Sequence, residues 1–226
     1  MVSNKNITIA IDGPAGAGKS TIAKLISKKL KIVYLDTGAM YRAVALKAIR
    51  QNIDTSNGEK LSELVKDINI KVEYINEEQR IYLDGEDVSD FIRTPEVSLG
   101  ASNVAVIPEV RIKMVELQRK IASKCSVVMD GRDIGTYVLP NATLKIFLNA
   151  SIDERAKRRY HEQVSKGIRD VSFEEVKKDI IYRDKNDSSR AFAPLAKAQD
   201  AIEVDTTIMS IDEVVTKILE QVEGIC

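Results

Sequence analysis

The sequence predicts an α/β fold: a doubly wound five-stranded parallel sheet with a small inserted antiparallel sheet lobe and a short helical lid. Three observations predict it. A glycine-rich turn at 13–20 stands between an apolar run rich in β-branched residues and a stretch with apolar residues at helical spacing. Short apolar runs then recur with helical segments between them, the alternation that builds parallel sheets. Near residue 70 the pattern changes to period two, which marks a sheet with one solvated face.

The first strand reads Ile7-Thr8-Ile9-Ala10-Ile11-Asp12. It runs into Gly13-Pro14-Ala15-Gly16-Ala17-Gly18-Lys19-Ser20, which fits G-x-x-x-x-G-K-S/T at every fixed position, and Thr21-Ile22-Ala23-Lys24-Leu25-Ile26 continues as a helix. Three glycines let successive backbone N–H groups turn around an anion without intruding side chains, and the helix directs its positive end at the same point. Lys19 would give a full charge to β- and γ-phosphates. The hydroxyl of Ser20 can ligate Mg²⁺, and that of Thr21 can reach another phosphate oxygen.

A second strand, Lys31 to Asp36, leads into Thr37-Gly38-Ala39-Met40-Tyr41-Arg42 and a helix to about Arg50. Thr37 and Arg42 follow a strand's carboxyl end, where open parallel sheets place ligands, although the same letters would serve as a helix cap with a solvated arginine one turn in. Glu59 to Asp67 reads as a short amphipathic helix. Ile70, Val72 and Tyr74 against Ile81 and Leu83 then read as a hairpin, extended by Glu86 to Val88, so about 68–100 is expected to be the inserted lobe. Pro108 starts a helix over Glu109 to Ser123 whose apolar stripe is Val110, Met114, Leu117 and Ile121, with Arg111 off the stripe.

Ser126-Val127-Val128-Met129-Asp130 is an apolar strand ending in an acid, the arrangement that holds Mg²⁺ directly or through water. Gly131-Arg132-Asp133-Ile134-Gly135-Thr136 continues as a loop at the sheet's ligand end. Leu144 to Leu148 and Ala201 to Asp205 are the fourth and fifth strands, closed by a helix from Ser210 to Val222. Between them, Arg155, Arg158 and Arg159 share one helix face, and Arg183, Asp187 and Arg190 share another if the helix persists that far. Such clusters usually belong to salt-bridged surface. Beside a phosphate cradle, arginines arriving from a lid over about 153–169 would neutralise a transferring phosphoryl and exclude water.

The chain has 226 residues, 44% apolar and 30% charged, with 34 positive against 34 negative groups, so no global basic field recruits nucleic acid. No apolar run reaches the 18 residues of a membrane span, and Met1-Val2-Ser3-Asn4-Lys5-Asn6 lacks a signal-peptide core, so a cytoplasmic chain is expected. Cys125 and Cys226 fit no metal or redox spacing, and the single histidine, His161, reads as a surface helix residue.

Several stretches together resemble one family: IDGPAGAGKST, LDTGAMYRA, the sheet lobe, MDGRDIGT, LKIFLNAS and RDKNDSSRAFAPL, in that order and over nearly the whole length. The chain resembles bacterial cytidylate kinases, nucleoside monophosphate kinases of the P-loop superfamily. The resemblance implies one P-loop kinase domain over 1–226 that moves the γ-phosphoryl of ATP to CMP or dCMP with Mg²⁺, acting as a monomer without nucleic-acid or membrane partners. It implies that Gly13 to Thr21 hold ATP and that Ser20 and Asp130 face the metal. Arg42, Arg132 and Arg190 would grip the acceptor phosphate with Thr37 nearby, Arg183 and Asp187 would address the sugar, and Ser102, Arg111 and Asp133 would read the cytosine. Lys19, Arg132, Arg155 and Arg159 are the expected catalytic cations.

A P-loop GTPase would need an N-K-x-D motif and a D-x-x-G switch, neither of which stands in a suitable place; Asp184-Lys185-Asn186-Asp187 has the letters in the wrong order. A kinase with another small acceptor shares the phosphate loop but not the sheet lobe and the R-D-x-x-x-D-x-x-R-like end. A regulatory nucleotide-binding module needs no acceptor arginines.

Overall fold

The computed structural model describes residues 6–76, 78–168 and 171–224. The readings made on Met1 to Lys5, on Cys226 and on the lid's far end at Arg169 lie outside the described residues. In chain order the strands are β1 (Thr8–Asp12), β2 (Val33–Asp36), β3 (Ile70–Ile75), β4 (Glu78–Leu83), β5 (Glu86–Asp87), β6 (Val127–Gly131), β7 (Leu144–Asn149) and β8 (Ile202–Asp205). The helices are α1 (Lys19–Leu30), α2 (Thr37–Arg50), α3 (Gly58–Lys66), α4 (Pro95–Val104), α5 (Pro108–Ala122), α6 (Ile152–Ser165), α7 (Phe173–Ser188) and α8 (Ile211–Glu223). The chain forms two compact units, one built from residues up to Val33 and from Cys125 onward, the other from Tyr34–Lys124.

The first unit is organised by a five-stranded parallel sheet in the order β2-β6-β1-β7-β8, with β2 leading out of the unit at one edge. Its central strands are continuous apolar runs because both faces are covered: Ile9, Ala10, Ile11, Val127, Val128 and Met129 are fully buried. The parallel register sets Ile11 beside Asp130 and Asp12 beside Gly131. Two acids and the loops that follow them therefore leave the sheet at one end. Helix α1 buries Ile22, Ala23 and Ile26, while Val214, Val215 and Ile218 of α8 complete the core.

Helix starts differ in a way that bears on the site. Helices α6, α7 and α8 are capped by Ser151, Ser172 and Ser210, the last two in reciprocal capping boxes with Glu175 and Glu213. Helix α1 begins after Gly18 with no side-chain cap and no acid in its first turn. Its terminal N–H groups are thus left for an anion.

The second unit holds the antiparallel sheet β3-β4-β5, with Ile70 opposite Leu83 and Val72 opposite Ile81. It is wider than the expected 68–100 lobe, because α2, with Ala43, Val44, Ala45 and Ala48 fully buried, packs against both β4 and α4, and α3 packs on α5. Helix α4, which begins within the expected lobe and runs past it, was not anticipated. Its start is nevertheless encoded, since Thr94 accepts from Val97 N and Pro95 fills the first turn. Two further readings are corrected. Helix α7 stops at Ser188, so Arg190 is not on it, and residues 134–138, read as loop, form a π-helical turn.

Candidate active site

In the first unit the chain leaves β1 through Gly13, whose φ of +146° suits glycine and where an added Cβ would lie 2.0 Å from Leu148 O. No other residue fits there. The loop then delivers Lys19 to a buried position, where Nζ donates to Pro14 O at 2.7 Å. Burial and the nearby Arg132 bring the Lys19 ammonium down to about 7, against the pull of Asp130, Asp187 and Asp12. Ser20 Oγ donates to Asp130 Oδ2 at 2.7 Å. The two predicted metal-side groups thus meet, and Thr21 is exposed one position on.

A charged network extends from this point. Arg132 Nε donates to Asp187 Oδ2 at 2.6 Å, and Arg190 donates to the other oxygen of the same carboxylate. Burial works against the charge of Asp187, but Arg132 and Arg190 hold its carboxyl below the usual range. Arg183, one turn earlier on α7, has no partner for its buried Nε. Burial, with Arg159 and Arg132 close by, brings this guanidinium down to about 10. Arg159 donates to Glu162 at 2.8 Å. Cations held against one another in a low-dielectric site favour an anionic ligand among them.

The loop after β6 is held by a residue that the sequence did not single out. Asp12, at the end of β1, accepts from Ile134 N at 2.8 Å and from Gly135 N at 2.7 Å, so it caps the π-helical turn. Burial pushes its carboxyl up to about 6, against the lowering effect of those two N–H groups. Asp133 is buried just before the turn, with its carbonyl accepting from Tyr137 N and Val138 N.

Arg155 requires a correction. It was expected to reach the transferring phosphoryl, but its buried guanidinium is bound to Ala150 O, Ala15 O and Asp184 Oδ2. Periodicity gave the helix face and not the neighbour. Arg158, on the same face, donates to Glu154 and to Thr206, while Arg159 remains the one placed near Arg183. His161 is exposed, and Cys125 is half-buried.

In the second unit, Asp36 caps α2. Its Oδ1 accepts from Ala39 N and its Oδ2 from Arg42 NH2 at 2.7 Å. Thr37 is therefore the first helical residue and buried, and Arg42 is partnered rather than merely solvated. Gln79 of β4 grips the backbone of Asp36 at both N and O, tying the sheet to the start of α2. Ser102 on α4 is buried. Arg111, expected off its helix's apolar stripe, is instead buried with Val110, Met114 and Val115 of α5 at 1% exposure, with NH1 on Ala105 O and the guanidinium 5.8 Å from the Tyr41 ring centroid.

An uncapped helix behind a glycine loop, an invading lysine and a hydroxyl–carboxylate pair at a parallel sheet's carboxyl end define a P-loop phosphotransferase fold. Solved structures agree on the fold alone: a protein from Eubacterium ventriosum (TM-score 0.51, 18% identity, 97% of this chain and 99% of that one) and shikimate kinase from Bacteroides thetaiotaomicron (0.50, 17%, 96% and 98%). The chain belongs to the cytidylate kinase family, whose profile matches residues 9–224. Proteins named cytidylate kinase from Bacillus cereus and Bacillus thuringiensis are each 52% identical to it over 222 residues, covering 98% of both chains. Among the described residues no helix is long and apolar enough to cross a membrane.

Proposed function

We propose that the chain transfers the γ-phosphoryl of ATP to CMP or dCMP, giving ADP and CDP or dCDP. The observation that carries this reading is the crowd of cations around the phosphate loop, in which Arg183 has a buried, unpartnered Nε beside Arg159 and Arg132. A chain that only bound ATP would need the loop and Lys19, not a second set of guanidinium groups.

The loop amides, the start of α1 and Lys19 hold the β- and γ-phosphates, and Arg159 and Arg132 face charge that develops on the transferring group. Arg132, Arg190, Arg42 and Thr37 are assigned to the acceptor phosphate. Asp187 and Arg183 are assigned to the sugar, and Ser102, Arg111 and Asp133 to the base. Both oxygens of Asp187 already accept from arginines, so a sugar hydroxyl would share its remaining lone pairs. An acceptor monophosphate has a second pKa near 6, so its attacking oxygen is mostly deprotonated at pH 7 and no general base is required. One exposed histidine is compatible with that.

Ser20 and Asp130 offer a hydroxyl and a carboxylate oxygen 2.7 Å apart, a hard donor set that suits Mg²⁺, which takes the rest of its shell from phosphate and water. When bound, the ion would supply charge neutralisation at the β- and γ-oxygens. The test is ADP formation from ATP with CMP, dCMP, UMP or AMP as acceptor. Turnover should depend on CMP or dCMP, and equal turnover without them would end the proposal.

A further inference from the structure

Ala15 is held on both sides by an ion pair from outside its loop. Its N–H donates to Asp184 Oδ1 at 3.3 Å, and its carbonyl accepts from Arg155 NH1 at 2.9 Å. The same Arg155 nitrogen reaches Asp184 Oδ2 at 2.7 Å, and Nε is fixed on Ala150 O at 2.9 Å. Arg155 side-chain exposure is 5% and that of Asp184 is 23%, so the pair is mostly sheltered from screening. A phosphate cradle has no evident reason to surrender a backbone amide to a carboxylate, the like charge of its ligand, unless that carboxylate sets the loop's shape.

A second observation comes from Gly16, a variable position in the phosphate-loop pattern. An added Cβ there would lie 3.0 Å from both Cβ and the carbonyl oxygen of Arg155, at a φ of +78°. The loop therefore rests directly on the first turn of α6. Arg155 belongs to α6, which also carries Arg159, and Asp184 to α7, which also carries Arg183 and Asp187. One residue of the phosphate loop is thus tied to both helices that present the site's cations.

We infer that Arg155 and Asp184 are a pair of positioning residues that set the phosphate loop in register with the cations of α6 and α7, and that neither contacts the transferring phosphoryl. The pair acts on the donor side. A loop misplaced by an ångström loses aligned amides for the β- and γ-phosphates, while the groups assigned to the acceptor, Arg183 and Asp187 of α7 included, do not belong to the loop. The inference rests on the kinase reading for its turnover measurements, but its ATP-binding measurement needs no acceptor.

The experiment compares the wild type, Arg155→Met, Asp184→Asn and the double variant by ATP calorimetry, by kcat and KM for ATP and CMP, and by thermal melting. Asp184→Asn keeps shape and one acceptor for Ala15 N–H but removes the charge that orients Arg155. Each single variant should weaken ATP binding by about 10- to 100-fold, the range expected when aligned groups shift rather than vanish. KM for CMP should change by less than about threefold, and the double variant should be no worse than the worse single one, since both break one device. An Asp184→Asn protein that folds and binds ATP like the wild type overturns the inference, whatever Arg155→Met does. So does an Arg155→Met protein with unchanged ATP affinity and a kcat loss that adds to that of Asp184→Asn, because Arg155 would then act on the reacting group itself. Absence of CMP-dependent turnover in the wild type would count against the kinase reading and leave the ATP-affinity comparison intact.

Discussion

Ser20 Oγ lies 2.7 Å from Asp130 Oδ2, the hydroxyl donating to the carboxylate across the gap between the phosphate loop and the end of β6. The two groups come from opposite halves of the first unit's sequence and meet because β1 and β6 are parallel neighbours in register. If this pair faces Mg²⁺, directly or through water, Asp130→Asn should raise the Mg²⁺ concentration for half-maximal turnover by about 10- to 100-fold. Titrating turnover with Mg²⁺ at saturating nucleotide measures it, and an unshifted midpoint would remove Asp130 from the metal.

Lys19 should matter more to the transition state than to bound ATP, because charge moves to the bridging oxygen only as the bond breaks. Removing one preorganised stabilising group typically costs about 100-fold or more in kcat, so Lys19→Ala should fall at least that far. Steady-state kinetics with a calorimetric check that ATP still binds would test it, and a near-normal kcat would sink the assignment.

What was legible in the sequence was local. Gly13 to Thr21 could be read because every chemical requirement of a phosphate loop falls within nine consecutive residues, and the apolar runs around it report burial on both faces. Asp12 and Asp184 were not legible, since each works through partners 122, 123 or 169 residues away. The π-helical turn at 134–138 was hidden for the same reason: the carboxylate that caps it sits on another strand. Arg155 shows the limit of periodicity. Helical spacing grouped it correctly with Arg158 and Arg159, but only the approach of Ala15 reveals that its guanidinium is already committed.

Asp12 yields a pH prediction of definite sign. Its carboxyl is raised in the fold from 3.8 to about 6 by burial, so the folded state disfavours the charged form. Its contribution to stability is undiminished below pH 4, is lost progressively between about pH 4 and 6, and stays lost above that. At 1.36 kcal/mol for each tenfold change, the loss amounts to about 3 kcal/mol. Asp36 and Asp187, whose carboxyls are held low, drive overall stability the other way, but they are common to wild type and variant. The stability of the wild type relative to Asp12→Asn should therefore fall by up to about 3 kcal/mol from pH 4 to pH 7. Urea unfolding of both proteins across that range reads it directly, and a constant difference would contradict the burial argument.

Base choice provides the last prediction. Asp133 is buried between the end of β6 and the π-helical turn, and its own carbonyl, not its carboxylate, accepts the turn's hydrogen bonds. Asp12 caps the same turn independently. Cytosine offers an exocyclic amino donor where uracil offers a carbonyl acceptor, so a carboxylate attracts the first and opposes the second. Selectivity would then come from both attraction and repulsion. A hydrogen bond to a charged group contributes about 1.5–3 kcal/mol, so Asp133→Ala should lower kcat/KM for CMP by about 10- to 150-fold. UMP should lose far less, or gain, because the opposing group has gone. A purely structural Asp133, ordering its loop through salt bridges with Arg132 or Arg111, predicts a common decline instead. Measuring kcat/KM for CMP and UMP on the same variant decides between the two, since an unchanged CMP-to-UMP ratio would take Asp133 out of base recognition.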